Sequence, residues 1–62
     1  MDKVKAKYIT TIDGNKCYRD RYGNIYVKIK DEIFFCSNRK AGTITPDDAE
    51  PYYPVNNVEL EE

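Results

Sequence analysis

Two cysteines, a single serine, eleven carboxylates and ten basic side chains make up the chemically capable groups of this chain, and no histidine is among them. The commonest general base and metal ligand is therefore missing. Cys17 and Cys36 are separated by 18 residues, which matches no zinc spacing, and two ligands do not complete a tetrahedral site. A cysteine nucleophile needs a base or a cation to ionise it, and the sequence supplies no His for that purpose. Ser37 has no base partner within its stretch. With three glycines in all, there is no phosphate-cradling loop. Asp13-Gly14-Asn15 opens like a calcium loop but lacks the third acid, the later glycine and the closing glutamate, so it reads as a turn. These residue types predict a non-enzyme with no catalytic residue, no metal and no cofactor.

The remaining chemistry is that of cations interleaved with rings. The stretch RDRYGNIYVKIK, positions 19–30, places Arg19, Arg21, Lys28 and Lys30 around two tyrosines and a Gly-Asn turn. On a sheet surface, guanidinium and ammonium groups meet phosphates while rings stack on bases, each stack contributing ~1–3 kcal/mol. Tyr and Arg are also the residues that dominate protein interfaces. Pro51-Tyr52-Tyr53-Pro54 reads as an extended arm with little ordering cost on docking. Charge is strongly segregated: positions 1–40 hold ten bases and five acids (+5), while 41–62 hold six acids and no base (−6). Such asymmetry points to a polyanion or protein partner, or to attraction between the two halves within the fold.

The elements that must position these groups are strands. Six Ile and four Val against one Leu suit a pleated, half-buried surface. Runs at 3–12, 16–21, 25–30 and 33–37 are separated by Asp13-Gly14, Gly23-Asn24 and Asp31-Glu32, and 42–45 reads as a short fifth strand. The spacing predicts an all-β fold, a small antiparallel meander of about five strands, either an open sheet or an SH3-like or OB-like barrel. Thr45-Pro46-Asp47-Asp48 has the features of a helix start, and Pro51 ends it, so a single helical turn is expected near 46–50. The chain is one domain over 1–62: a basic meander at 1–45 and an acidic extended arm at 46–62.

Register follows from parity, because cross-strand partners share a face. Two-residue loops at the three turns place Ile9, Tyr18, Tyr22, Ile25, Val27, Ile29, Phe34 and Cys36 on one apolar face, which Asp20 interrupts. The opposite face then carries Tyr8, Arg19, Arg21, Tyr26, Lys28, Lys30, Ile33 and Phe35. Cys17 falls on that cationic face and Cys36 on the apolar one, which makes both free thiols, since a disulfide needs converging Cβ vectors.

No apolar run approaches the ~18 residues of a membrane span, and the N-terminal stretch has no signal-peptide core, so a cytoplasmic location is expected. In composition the chain resembles the small accessory and inhibitor proteins of phages and mobile elements. The reading is a non-enzymatic interaction protein, an inhibitor or regulator, that binds another protein. Its expected contact residues are Tyr8, Arg19, Arg21, Tyr26, Lys28, Lys30, Phe35, Tyr52 and Tyr53. The alternative is a nucleic-acid-binding sheet with an acidic autoinhibitory tail. Homo-oligomerisation through sheet edges is a further expectation for so small a chain.

Overall fold

The computed structural model describes residues 3–62. Strands β1 (Val4–Ile12), β2 (Asn15–Asp20), β3 (Asn24–Ile29) and β4 (Glu32–Asn38) form the antiparallel meander. A 3₁₀ turn follows at Pro46–Ala49, then β5 (Tyr53–Val55) and β6 (Val58–Glu61). All six strands share one sheet in the order β5-β4-β3-β2-β1-β6. The fold is all-β with one short helical turn, as the spacing predicts. It differs in strand number and direction: the acidic arm supplies two strands, and β6 runs parallel to β1. The expected strand at 42–45 does not form. That segment is a loop that buries Ile44.

The curl of the sheet follows from its connectivity. β5 and β6 are separated only by Asn56 and Asn57, yet they lie at opposite ends of the strand order. Five strand spacings in a flat sheet would separate them by about 24 Å, which two residues cannot span. The sheet therefore bends into a half-barrel, and Val4 N donates to Asn57 O at 2.9 Å where the β1–β6 ladder begins.

Each face of the sheet has its own core. The inner cluster is Ala6, Tyr18, Tyr26 and Val58, flanked by Ile33, Phe35, Val55 and Leu60. It draws on both end strands, so it fills the concave side. The outer cluster is Cys17, Ile25 and Val27 with Ile9, Ile12, Ile29, Phe34 and Cys36, covered by Ile44 and Ala49 from the 39–52 segment.

The turns decide which residue joins which core. At Asp13-Gly14 the expected two-residue loop forms, pairing Ile12 with Asn15 and Thr10 with Cys17. A bulge at Ile9 then shifts the ladder by one, so that Tyr8, not Ile9, faces Tyr18. The second turn departs further. It is a three-residue loop, 21–23, with Tyr18 opposite Tyr26 and Arg19 opposite Ile25. Relative to the expected register this is a shift of three residues, an odd number, and it reverses the faces of β2 against β3.

Asp20 is the cause. Its buried carboxylate accepts hydrogen bonds from Tyr22 N (2.8 Å), Asn24 N (3.0 Å), Asn24 Nδ2 (3.0 Å) and Tyr26 Oη (2.8 Å). Gly23 completes the loop at φ +89°, and a Cβ there would lie 2.7 Å from Lys40 Cγ. At the third turn Lys30 takes a left-handed φ of +58° and Ile29 pairs with Glu32, a two-residue shift that leaves the faces unchanged.

Cys17 and Cys36 thus share the outer core and do not lie on opposite faces as the parity argument predicts. Both are free nonetheless. They sit on β2 and β4 with β3 between the two strands, and two strand spacings of about 9.6 Å in total exceed the ~7 Å limit for bridged Cα atoms.

Candidate functional site

The expected cationic face is not assembled. Arg19 belongs to the outer face beside Cys17 and Ile25, where its Nη2 donates to Gly42 O beneath the covering loop. Arg21 leaves the sheet in the 21–23 loop, with its guanidinium carbon 4.9 Å from the Tyr22 ring centroid. Lys28 lies opposite Lys16 at the end of the ladder, and Lys30 is in the next turn. Tyr26 and Phe35 point into the inner core. The odd shift at Asp20 is what separates Arg19 from Tyr26 and Lys28.

A different arrangement takes the place of that face. Tyr8, Tyr18, Tyr26, Phe35 and Tyr53 are consecutive cross-strand partners on β1 to β5, an aromatic ladder across five strands of the inner face. Tyr8 and Tyr18 meet edge-on at 6.0 Å, as do Tyr26 and Phe35 at 6.1 Å. Phe35 and Tyr53 stack at 5.2 Å, and Tyr52 extends the series with its centroid 5.3 Å from that of Tyr53. The middle of the ladder is buried and its ends emerge: Tyr8 is 42% exposed, Tyr53 48% and Tyr52 75%. Tyr8 Oη is hydrogen-bonded to Thr11 Oγ1 at 2.8 Å. No hydrogen bond to the Tyr52 or Tyr53 hydroxyl is present among the described residues.

Buried hydroxyls and thiols are held in their protonated forms. Burial, reinforced by the Asp20 carboxylate, pushes Tyr26 up to about 12. Burial likewise raises Tyr18, assisted by Glu62, whose Oε2 accepts from the Tyr18 hydroxyl at 3.1 Å. Burial pushes the Cys36 thiol up to about 11 and raises Cys17 as well, so neither thiol is an activated nucleophile near neutral pH. Burial works against ionisation of Asp20 too, but the hydrogen bonds from Asn24, Tyr26 and Tyr22 outweigh it and hold the carboxyl below its usual range. Among the described residues no cluster of three or more acids and thiols could hold a metal ion.

The acidic third of the chain folds back in cis, as the two edge strands and the 3₁₀ turn that precedes them. Glu62 pairs with Lys16 at 2.6 Å, Glu61 with Lys5 at 4.0 Å and Asp48 with Arg39 at 3.7 Å. A second cationic surface lies elsewhere. Lys3, Lys5 and Lys7 line an open groove with Arg19, Arg21 and Tyr22, and Glu59 and Glu61 of β6 form its far wall. The lysines and Tyr22 are absent from the expected contact set. Their signal is the alternation in KVKAK, which puts successive lysines on one side of a strand.

In comparisons with protein-family models, curated proteins and solved structures, none matches this chain.

Proposed function

We propose that this chain is a non-enzymatic interaction module that docks on a protein partner through the emergent end of the aromatic ladder, Tyr52 and Tyr53. The observation that carries this reading is the exposure of Tyr52, at 75%, on a ring stack rooted through Tyr53 and Phe35 in the inner core. A preorganised aromatic surface loses little conformational entropy on association, and Tyr is prominent among interface hot spots. The phenolic oxygens remain free to pair with a partner.

Side-chain docking is favoured over strand addition. β5 has only three residues and carries Pro54, and β6 carries Glu59 and Glu61. Short strands, proline and charge all blunt a sheet edge, which also weakens the case for homo-oligomers joined at those edges. A module of this kind acts by occupying its partner, as an inhibitor or regulator does. Its unpaired thiols fit a reducing compartment such as the cytoplasm. Among the described residues, no helix is long and apolar enough to cross a membrane.

The test is affinity capture from nuclease-treated extract of the native cell, with the intact chain and a Tyr52→Ser variant in parallel. The expected result is a protein retained by the former and lost with the latter. Identical capture by both, or no protein retained by either, overturns the reading.

A further inference from the structure

We infer that the groove between β1 and the 21–23 loop takes a short segment of single-stranded nucleic acid. This surface is distinct from the Tyr52 end, and the inference does not depend on the protein-docking reading. The groove combines an exposed ring with four cations, Lys3, Lys7, Arg19 and Arg21, that form no ion pair among the described residues. Lys5 has Glu61 at 4.0 Å, but among the described residues no carboxylate lies within ion-pair distance of Lys3, Lys7, Arg19 or Arg21. Lys7 and Arg19 are direct cross-strand partners, so two positive charges face the same side of the sheet, while on its other flank Lys7 stands opposite Glu61 of β6 without forming an ion pair. Arg19 has one backbone acceptor, Gly42 O, and its Nε is buried without a partner. Among the described residues, the one hydrogen-bond partner of the Arg21 side chain is a neutral group: Nη2 donates to Tyr22 Oη at 2.7 Å. The nearby Asp20 carboxylate is fully engaged by its own loop.

The ring decides between two kinds of polyanion. Tyr22 is 53% exposed at the groove with Arg21 beside it, a pairing that suits a base stacked on the ring and a phosphate on the fork. An acidic peptide would have no such use for the ring. Lys5 and Lys7 recur about 6.7 Å apart along the strand, a row of point charges that can follow an extended phosphodiester backbone.

The experiment is fluorescence anisotropy of labelled oligothymidylate with the full chain across a salt series. Binding at low salt is expected, with log K falling against log salt at a slope of about −2, the release expected for some three phosphates. Lys7→Glu with Arg21→Glu, both at exposed positions, should weaken binding at least ~10-fold while leaving the circular dichroism spectrum unchanged. Tyr22→Ala should weaken it about fivefold or more with the salt slope retained. Tyr52→Ser should bind the oligonucleotide normally, which separates this site from the protein-docking end. Absence of binding at low salt overturns the inference, as does equal binding by the folded double variant. Displacement by polyglutamate as effective as by unlabelled oligothymidylate also overturns it and assigns the groove to an acidic peptide.

Discussion

The two faces of this sheet are closed in different ways. The inner face is closed by the sheet's own curvature and filled with rings, whose hydroxyls are satisfied by carboxylates at Asp20 and Glu62. The outer face is mainly aliphatic, with Phe34 and the two thiols, and is closed by a lid, the 39–52 segment, which inserts Ile44 and Ala49. Among the described residues four hydrogen bonds hold that lid: Arg19 to Gly42 O, Arg39 N to Gly23 O at 2.7 Å, Ser37 Oγ to Asp48 O at 2.7 Å, and Tyr52 N to Phe35 O at 2.8 Å. Within the lid, Asp48 accepts from Thr45 N and Oγ1 and shapes the 3₁₀ turn. The mode of closure decides what is left for a partner. Curling leaves the ladder's terminal rings exposed, and the lid leaves bare the cations it does not cover.

The contrast is broken most severely at the ladder's centre. Tyr18 is fully buried, and Tyr18→Ala is expected to cost about 3–5 kcal/mol, as for other buried aromatic truncations. In a 62-residue chain that approaches the whole folding free energy, so cooperative unfolding in a urea titration should be lost or nearly so. Ile44→Ala on the lid should cost less, about 2–4 kcal/mol, and should leave near-ultraviolet signals of the inner tyrosines intact. A larger loss from Ile44 than from Tyr18 would mean that the lid, not the curl, dominates stability.

Asp20→Asn ranks next, at about 1.5–3 kcal/mol for weakening hydrogen bonds to a charged acceptor. Its signature is pH dependence. The Asp20 carboxyl is depressed in the folded chain, so its stabilisation is complete above the ordinary value of 3.8 and is lost as pH falls through the lower folded value. Tyr26 is raised from 10.0 to about 12, so its contribution is complete below 10 and is lost as pH rises towards 12. Urea midpoints measured across both limits should fall at each end, and Asp20→Asn should flatten the acid limb. An unchanged acid limb would show that another carboxylate governs it.

Ser37→Ala removes one bond between β4 and the lid and should cost about 1 kcal/mol. Hydrogen exchange should speed up in 39–52 and remain slow in β2 and β3. The smallest effect is expected at Glu62→Gln, an exposed pair with Lys16, where thermal melts at moderate salt should barely move.

Much of the fold is legible locally. Asp13-Gly14 makes the two-residue turn that its residue types predict, and Thr45-Pro46-Asp47-Asp48 starts the short helical turn. Tyr52 and Tyr53 are legible as well, because the flanking prolines mark an extended stretch. The site fails to follow where a side chain overrides turn propensity. Gly23-Asn24 has the composition of a two-residue hairpin loop, but Asp20 captures Asn24 and Tyr26 and converts it to three residues. Asp20 reads as a blemish on an apolar face until the partners that gather around its carboxylate are seen.

By itself the sequence determined that this chain would be strand-rich, where most of its turns would fall, and that histidine chemistry would be absent. Those properties depend on residue type and on neighbours within a few positions. Tertiary structure alone decided which face each arginine and tyrosine would join, and that the acidic arm would supply both ends of the sheet. In a strand the side chains alternate with a period of two, so one bulge at Ile9 and one extra loop residue after Asp20 redirect everything downstream. Only the assembled sheet, with Asn56 and Asn57 bringing its ends together, settles those two choices.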